Sequence, residues 1–218
     1  MRRKVVNIVF GFVAGIVFLA SFAFFWWWRN HDVEQPSYRV EEAEGPIEIR
    51  TYGKLVVAEV ERTGARWTAV NEGFMPLARY IFGSDRPGEK IAMTAPVTQQ
   101  PVETSAGSRP TSWQVRFIMP SKHDLETLPR PANGDVRLRE LSGGRMAAIR
   151  FSGIATDERV ADHEKKLFAW LEERGLQASA LPTYAYYNDP FTPGFLRRNE
   201  ILVPVKGPVT SRSTAPSR

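Results

Sequence analysis

The run from Val5 to Trp28, VVNIVFGFVAGIVFLASFAFFWWW, contains no charged side chain and restricts what the chain can become more than any other stretch. As a helix with a 1.5 Å rise, about 24 residues reach roughly 36 Å, enough to cross a bilayer core of ~30 Å with some tilt. Its clearly polar side chains, Asn7 and Ser21, lie towards its ends, and Trp26, Trp27 and Trp28 form an aromatic belt before Arg29. A cleaved signal peptide has a shorter apolar core and small residues at the cut, where this chain has bulky aromatics. A buried globular helix would show a polar stripe. The sequence therefore predicts an uncleaved transmembrane anchor over residues 5–28.

Arg2, Arg3 and Lys4 crowd one flank of the run, against Arg29 and Arg39 on the other. The positive-inside rule places residues 1–4 in the cytoplasm. The expectation is a single-pass membrane protein whose folded part lies outside the cytoplasm, in the periplasm if the source is bacterial. Residues 29–44, polar, acid-leaning and with Pro36, read as a stalk. A folded domain is expected over residues 45–206, and the tail from Gly207, GPVTSRSTAPSR, has the composition of a disordered end.

The 218 residues, 43 % hydrophobic and 24 % charged, suit one domain with a core of normal size. The net charge of +5 is spread among acidic neighbours with no basic stripe, so no nucleic-acid partner is expected. Without cysteine there are no disulfides, thiolate nucleophiles or Cys-type zinc sites. His31, His123 and His163 are too scattered for a histidine-rich metal motif.

Periodicity divides the domain. KLVVAEVE (Lys54 to Glu61) reads as a strand. Trp67, Val70, Phe74, Leu77, Ala78 and Ile81 recur at helical spacing and stop at Gly83. KIAMTAPV (Lys90 to Val97) reads as a buried strand and Gln99 to Ser112 as a loop. WQVRFIM places Trp113, Val115, Phe117 and Met119 on one face of a strand. Asp135–Arg139 and Arg145–Ser152 read as strands, and Asp157–Arg174 as a helix with Val160, His163, Leu167, Trp170 and Leu171 along one side. Tyr184–Tyr187 and Glu200–Val205 close the pattern as strands. Each half offers strands, one amphipathic helix and more strands, with no βαβ alternation, so the fold class is α+β with a curved antiparallel sheet.

At KIAMTAPV the chain resembles the SOUL haem-binding protein family. The likeness extends through PIEIRTYGKLVVAEVE, GFMPLARYIFG, FIMPSKHDLETLP, FSGIA and YYNDPFTPGFLRRNEILV, roughly Pro46 to Val205. It implies a distorted antiparallel β-barrel of two similar halves with two flanking helices, and a ligand that is haem or another tetrapyrrole. The shape is also similar to effector-binding domains of bacterial regulators.

A tetrapyrrole needs an apolar slot, cations for its propionates and, optionally, an axial ligand. The expected slot lies between the first helix and the sheet, walled by Phe74, Met75, Ala78 and Ile81 with Met93 and Val97; the same residues would equally serve as ordinary core. Where haem-binding relatives have basic residues on the first helix, this chain has Glu72 and Tyr80. Arg79 beside them, and Arg66 and Lys90 flanking the helix, are the expected substitutes. Arg197, opening RRNE, reads either as an anion contact or as part of a pinned strand start. Pro190, Pro193 and Gly194 mark a loop that would act as a lid. His163 is the candidate iron ligand, against the plainer reading of a half-buried structural histidine.

No nucleophile–base pair is legible. Ser152-Gly153 lacks the glycine two residues before serine that a nucleophile elbow uses, and Gly143-Gly144 reads as a turn, not a phosphate cradle. The leading expectation is a membrane-tethered binder of a hydrophobic ligand; an enzyme acting on that ligand and a protein-interaction module are the alternatives.

Overall fold

The structure, a computed structural model, describes Ser21 and residues 33–84, 86–102, 110–132 and 134–207. The expected anchor (Ser21 apart), residues 103–109 of the expected loop and the tail beyond Gly207 lie outside the described residues. Among the described residues no helix is long and apolar enough to cross a membrane. The chain divides into two compact units, Met1–Glu34 and Gln35–Arg218. The second contains β1 (Tyr38–Glu44), β2 (Ile47–Tyr52), β3 (Leu55–Thr63), α1 (Arg66–Phe82), β4 (Val97–Pro101), β5 (Ser112–Ile118), β6 (Arg137–Leu141), β7 (Gly144–Ser152), α2 (Asp157–Glu173), β8 (Gln177–Ala178), β9 (Thr183–Tyr186) and β10 (Arg198–Lys206).

The strands form one curled antiparallel sheet in the order β1-β2-β7-β10-β9-β4-β5-β3-β6, with β8 attached to β10. The two halves follow the same plan. β3 pairs with β5 and β5 with β4; β7 pairs with β10 and β10 with β9. The halves join where β4 meets β9, with Val97 opposite Tyr186 and Gln99 opposite Tyr184. The sheet is a half-barrel carrying two helices, as the α+β expectation required.

Side-chain alternation separates the faces. One face is apolar and carries the helices. Under α1 lie Val60, Val115, Phe117 and Met119; under α2 lie Ile49, Ile149, Phe151, Ile201 and Val203. α1 buries Ala69, Val70, Gly73, Leu77, Ala78, Tyr80 and Ile81, then ends at Gly83, whose φ of 68° suits the left-handed stop that glycine adopts freely. α2 is capped by Thr156, whose side chain accepts from the Arg159 N–H, with Asp157 and Glu158 favourably placed in its first turn.

Three expectations need correction. Residues 38–44, read as part of a stalk, form β1 along the edge of β2; their polarity is that of an edge strand with solvent on one side. KIAMTAPV is not a strand: Lys90–Pro96 is irregular apart from a bridge at Thr94, and β4 begins only at Val97. Its apolar residues had suggested a buried strand, yet Met93 is 43 % exposed while Ile91 and Ala95 are buried. Gln99 to Pro101, read as loop, complete β4.

α1 lies very close to the sheet. A Cβ added at Gly73 would sit 2.8 Å from Val115 Cβ, inside ordinary contact. Gly73→Ala is expected to lower stability by ~1–3 kcal/mol in urea denaturation, despite the better helix propensity of alanine. Combined with Val115→Ala, the loss should be smaller than the sum of the two single losses. An unchanged midpoint for Gly73→Ala would mean that the helix has slack against the sheet.

Candidate functional site

The expected slot between α1 and the sheet is occupied by the protein itself. Leu77 and Ile81 are almost fully buried there, Ala78 is buried beside them, and Gly73 brings the helix backbone onto Val115. Ala78 and Ile81 therefore belong to the core and are withdrawn from the ligand site. Phe74 and Val97 are half-buried on the margin of that core, with the Phe74 ring set edge-on to Phe117 at 5.2 Å. The sequence placed the apolar stripe, Trp67 apart; only the packing shows that it fills its own groove.

What remains available is the outer side of α1. Met75 is 53 % exposed, Trp67 is 48 % exposed and Phe82 is 44 % exposed. Residues 67, 71, 75 and 82 fall within one sector of a helix with 3.6 residues per turn, so Trp67, Met75 and Phe82 follow one stripe. The Trp67 ring stands edge-on to Tyr186 at 6.1 Å, linking the stripe to the centre of the sheet. Exposed Met93 follows Ile91, whose N–H donates to Ile81 O near the end of α1. Arg79, one turn beyond Met75, and Lys90 are exposed and form no ion pair with any described residue. Periodicity had assigned Trp67 to the core and passed over Phe82; aromatics at the ends of an otherwise apolar stripe were the available signal.

The other expected anion contacts are committed elsewhere. Arg66 opens α1 buried: Nε donates to Asp157 Oδ1 at 2.8 Å, Nη1 to the Tyr186 hydroxyl at 2.6 Å, and Nη2 to Ala155 O at 2.6 Å. Arg197 holds the loop before β10, with Nε donating to Thr192 O at 2.8 Å and Nη2 to Pro190 O at 2.5 Å. Tyr80, in place of a basic residue, is buried and its hydroxyl donates to Pro129 O at 2.9 Å; Glu72 is exposed.

His163 lies on α2, on the half of the sheet that α1 does not cover. Its ring stacks on Phe151 at 4.2 Å and Nδ1 lies 2.7 Å from Arg159 O, the arrangement of a structural histidine. Among the described residues no group of His, Asp or Glu is placed to hold a metal ion. His31 lies outside them.

The opposite face of the sheet is charged and buried. Arg50 donates to Glu200 at 2.6 and 3.2 Å, and Arg198 and the Tyr187 hydroxyl complete the set around this carboxylate at 2.7 and 2.9 Å. Burial pushes the Glu200 carboxyl up, but hydrogen bonds and charge from Arg50 and Arg198 outweigh it and hold it below the usual carboxylate range. Arg116 pairs with Glu59 at 2.8 Å on the same face. The cleft between these groups measures about 90 Å³ and is lined by Tyr52, Thr98, Arg116, Met146, Tyr187 and Leu202. That is too small for a macrocycle, and the charged groups around it are already satisfied.

The architecture defines a class: a curled antiparallel sheet of two matched halves, each backed by one helix. The sequence model of the SOUL heme-binding protein matches residues 33–204, and the chain belongs to that family. Heme-binding protein 2 from Homo sapiens is 28 % identical over 164 residues, 72 % of this chain and 80 % of the human protein. Heme-binding protein 1 from Mus musculus is 25 % identical, covering 77 % of this chain and 84 % of its own. Among solved structures, the EcmrR C-terminal domain superposes with a TM-score of 0.59 at 12 % identity, over 78 % of this chain and 98 % of that one. A hydrolase from Listeria innocua gives 0.52 at 12 % identity, over 76 % and 94 %. At such identities these two structures share the fold alone.

Removing Glu200 leaves Arg50 buried without its main partner, so Glu200→Ala should cost ~3–5 kcal/mol. Because the folded-state pKa is depressed, the stability from Glu200 is complete above its unfolded value of ~4.3 and is lost as pH falls through the lower folded value. Urea titrations at successive pH values should show wild type losing stability on acidification more steeply than Glu200→Gln. Parallel profiles would count against the ion cluster.

Proposed function

We propose that the chain binds a hydrophobic ligand of the tetrapyrrole class, haem or a porphyrin, laid flat against the outer side of α1. Residues 5–28 tether it to a membrane with the domain outside the cytoplasm, in the periplasm if the source is bacterial. The observation that carries the reading is the exposed stripe of Trp67, Met75 and Phe82, with exposed Met93 and two exposed cations, Arg79 and Lys90, that form no ion pair with any described residue. The names of the human and mouse relatives support it.

The residues fit such a ligand in kind. Aromatic rings and thioethers suit a flat apolar macrocycle, and Arg79 and Lys90 suit carboxylate propionates. Glu72, two turns before Arg79, would repel a propionate brought near it, which favours the Arg79 end of the helix. When bound, a haem supplies an iron whose axial positions accept sulfur or nitrogen donors. The stripe offers the thioethers of Met75 and Met93 and no histidine. With thioethers as the sole donors there, binding rests chiefly on contact area and charge, and metal-free porphyrin should serve nearly as well as haem.

Titration of the full chain in detergent with hemin and with protoporphyrin IX should give shifted absorption bands and affinities within about tenfold of each other, a difference of ~1.4 kcal/mol. Met75→Glu should weaken both by tenfold or more, and His163→Ala should change neither. No response at tens of micromolar, or loss of binding in His163→Ala alone, would overturn the reading.

A further inference from the structure

The loop Tyr187–Arg197 between β9 and β10 holds apolar side chains in water on a rigid frame. Phe191 is 93 % exposed, Phe195 78 % and Leu196 49 %, and Ile154, which lies against Gly194, is 55 % exposed. These rings are not exposed through looseness. Asp189 Oδ1 accepts from the N–H groups of Phe191 and Thr192 at 2.8 and 3.0 Å, Thr192 is buried, and Asn188 Oδ1 accepts from Arg198 N at 2.6 Å. With Arg197 bonded to Pro190 O and Thr192 O, polar contacts fix the backbone and turn the phenylalanines outwards. Several large apolar side chains presented on one loop in this way mark a contact surface.

The position of the loop indicates what it meets. Arg198, two residues after Leu196, donates from Nη1 to Gln35 Oε1 at 3.1 Å, and Pro36 lies beside Tyr187 in the lining of one cleft. The chain thus enters the domain at the foot of this loop. Trp28, the last residue of the apolar run, is seven residues before Gln35, a link of at most roughly 25 Å at 3.3–3.6 Å per residue. Arg197 and Arg159 bond backbone carbonyls, to Thr192 O and Pro190 O and to Ser152 O, and pair with no carboxylate of the described residues, so their charge still favours an anionic surface.

We infer that the Phe191–Leu196 loop is a lipid-contact element through which the domain meets a bilayer surface. The inference rests on the tether proposed above and adds a second membrane contact to it. Phe191 and Phe195 enter the interfacial region, where aromatic side chains are favoured, and Arg197 stays at headgroup level.

The chain has no cysteine, so a single introduced cysteine carries the nitroxide at one defined site. Full chain carrying Phe195→Cys, or Phe191→Cys as an independent second site, is labelled and reconstituted in vesicles of phosphatidylcholine and phosphatidylglycerol. Lys165→Cys on the exposed side of α2 is the reference. The loop label should be relaxed more by oxygen than by a water-soluble nickel chelate, with the reference showing the reverse. Protein that floats with the vesicles but carries an equally nickel-accessible loop label would overturn this inference alone. Protein that fails to float would overturn it together with the tether. Dipolar broadening at the loop label, in detergent and vesicles alike, would assign the patch to a second copy of the chain and overturn it as well.

Discussion

Arg66 is placed where the two halves of the molecule must agree. It is the first residue of α1, and its guanidinium reaches the start of α2 through Asp157 and Ala155 O and the central strand β9 through Tyr186. Its own carbonyl accepts from the side chain of fully buried Gln99 on β4, and Gln99 in turn accepts from Tyr186. The seam between β4 and β9 has only three residue pairs, so backbone bonds hold it lightly. The polar node adds directional bonds at that seam and fixes both helix N-termini over it. A buried guanidinium is tolerated only when its donors are met, and here partners from both halves meet them.

The division of the sheet into an apolar and a charged face follows from the same duplication. Both helices pack on one face, so that side collapses into a solid interior in which Gly73 meets Val115 and Leu77 has no exposure. The other face is covered by no helix among the described residues and buries Arg50–Glu200 and Arg116–Glu59 as matched pairs. Among the described residues, neither the groove under α1 nor the cleft on the charged face has room for a large guest. A flat ligand must then use the outside of the molecule, where α1 shows Trp67, Met75 and Phe82.

Much of the fold was legible because each element bears a period that its final environment preserves. Trp113, Val115, Phe117 and Met119 alternate with Gln114, Arg116 and Ile118, and the sheet keeps that alternation. Gly83 stops α1 because a left-handed residue is needed there. The strand misread at KIAMTAPV had composition without a consistent period, and composition does not say whether Met93 points in or out. The candidate site was legible only in part: Met75, Arg79 and Met93 lie on the accessible surface, whereas Ala78 and Ile81 turned inwards and Arg66 and Arg197 were taken by internal partners. Helical spacing names a stripe, but the edge of that stripe depends on how closely the helix approaches its sheet.

The sequence by itself determined the local elements, the family and the long apolar run near the N-terminus, since each is written in neighbouring residues. Tertiary structure alone decided that β1 joins the sheet, that the helix groove is closed, and that Phe191 and Phe195 face water beside the point where the chain enters the domain. Those outcomes depend on pairings between residues far apart in the chain, such as Arg66 with Asp157 and Gln35 with Arg198, which no local pattern encodes.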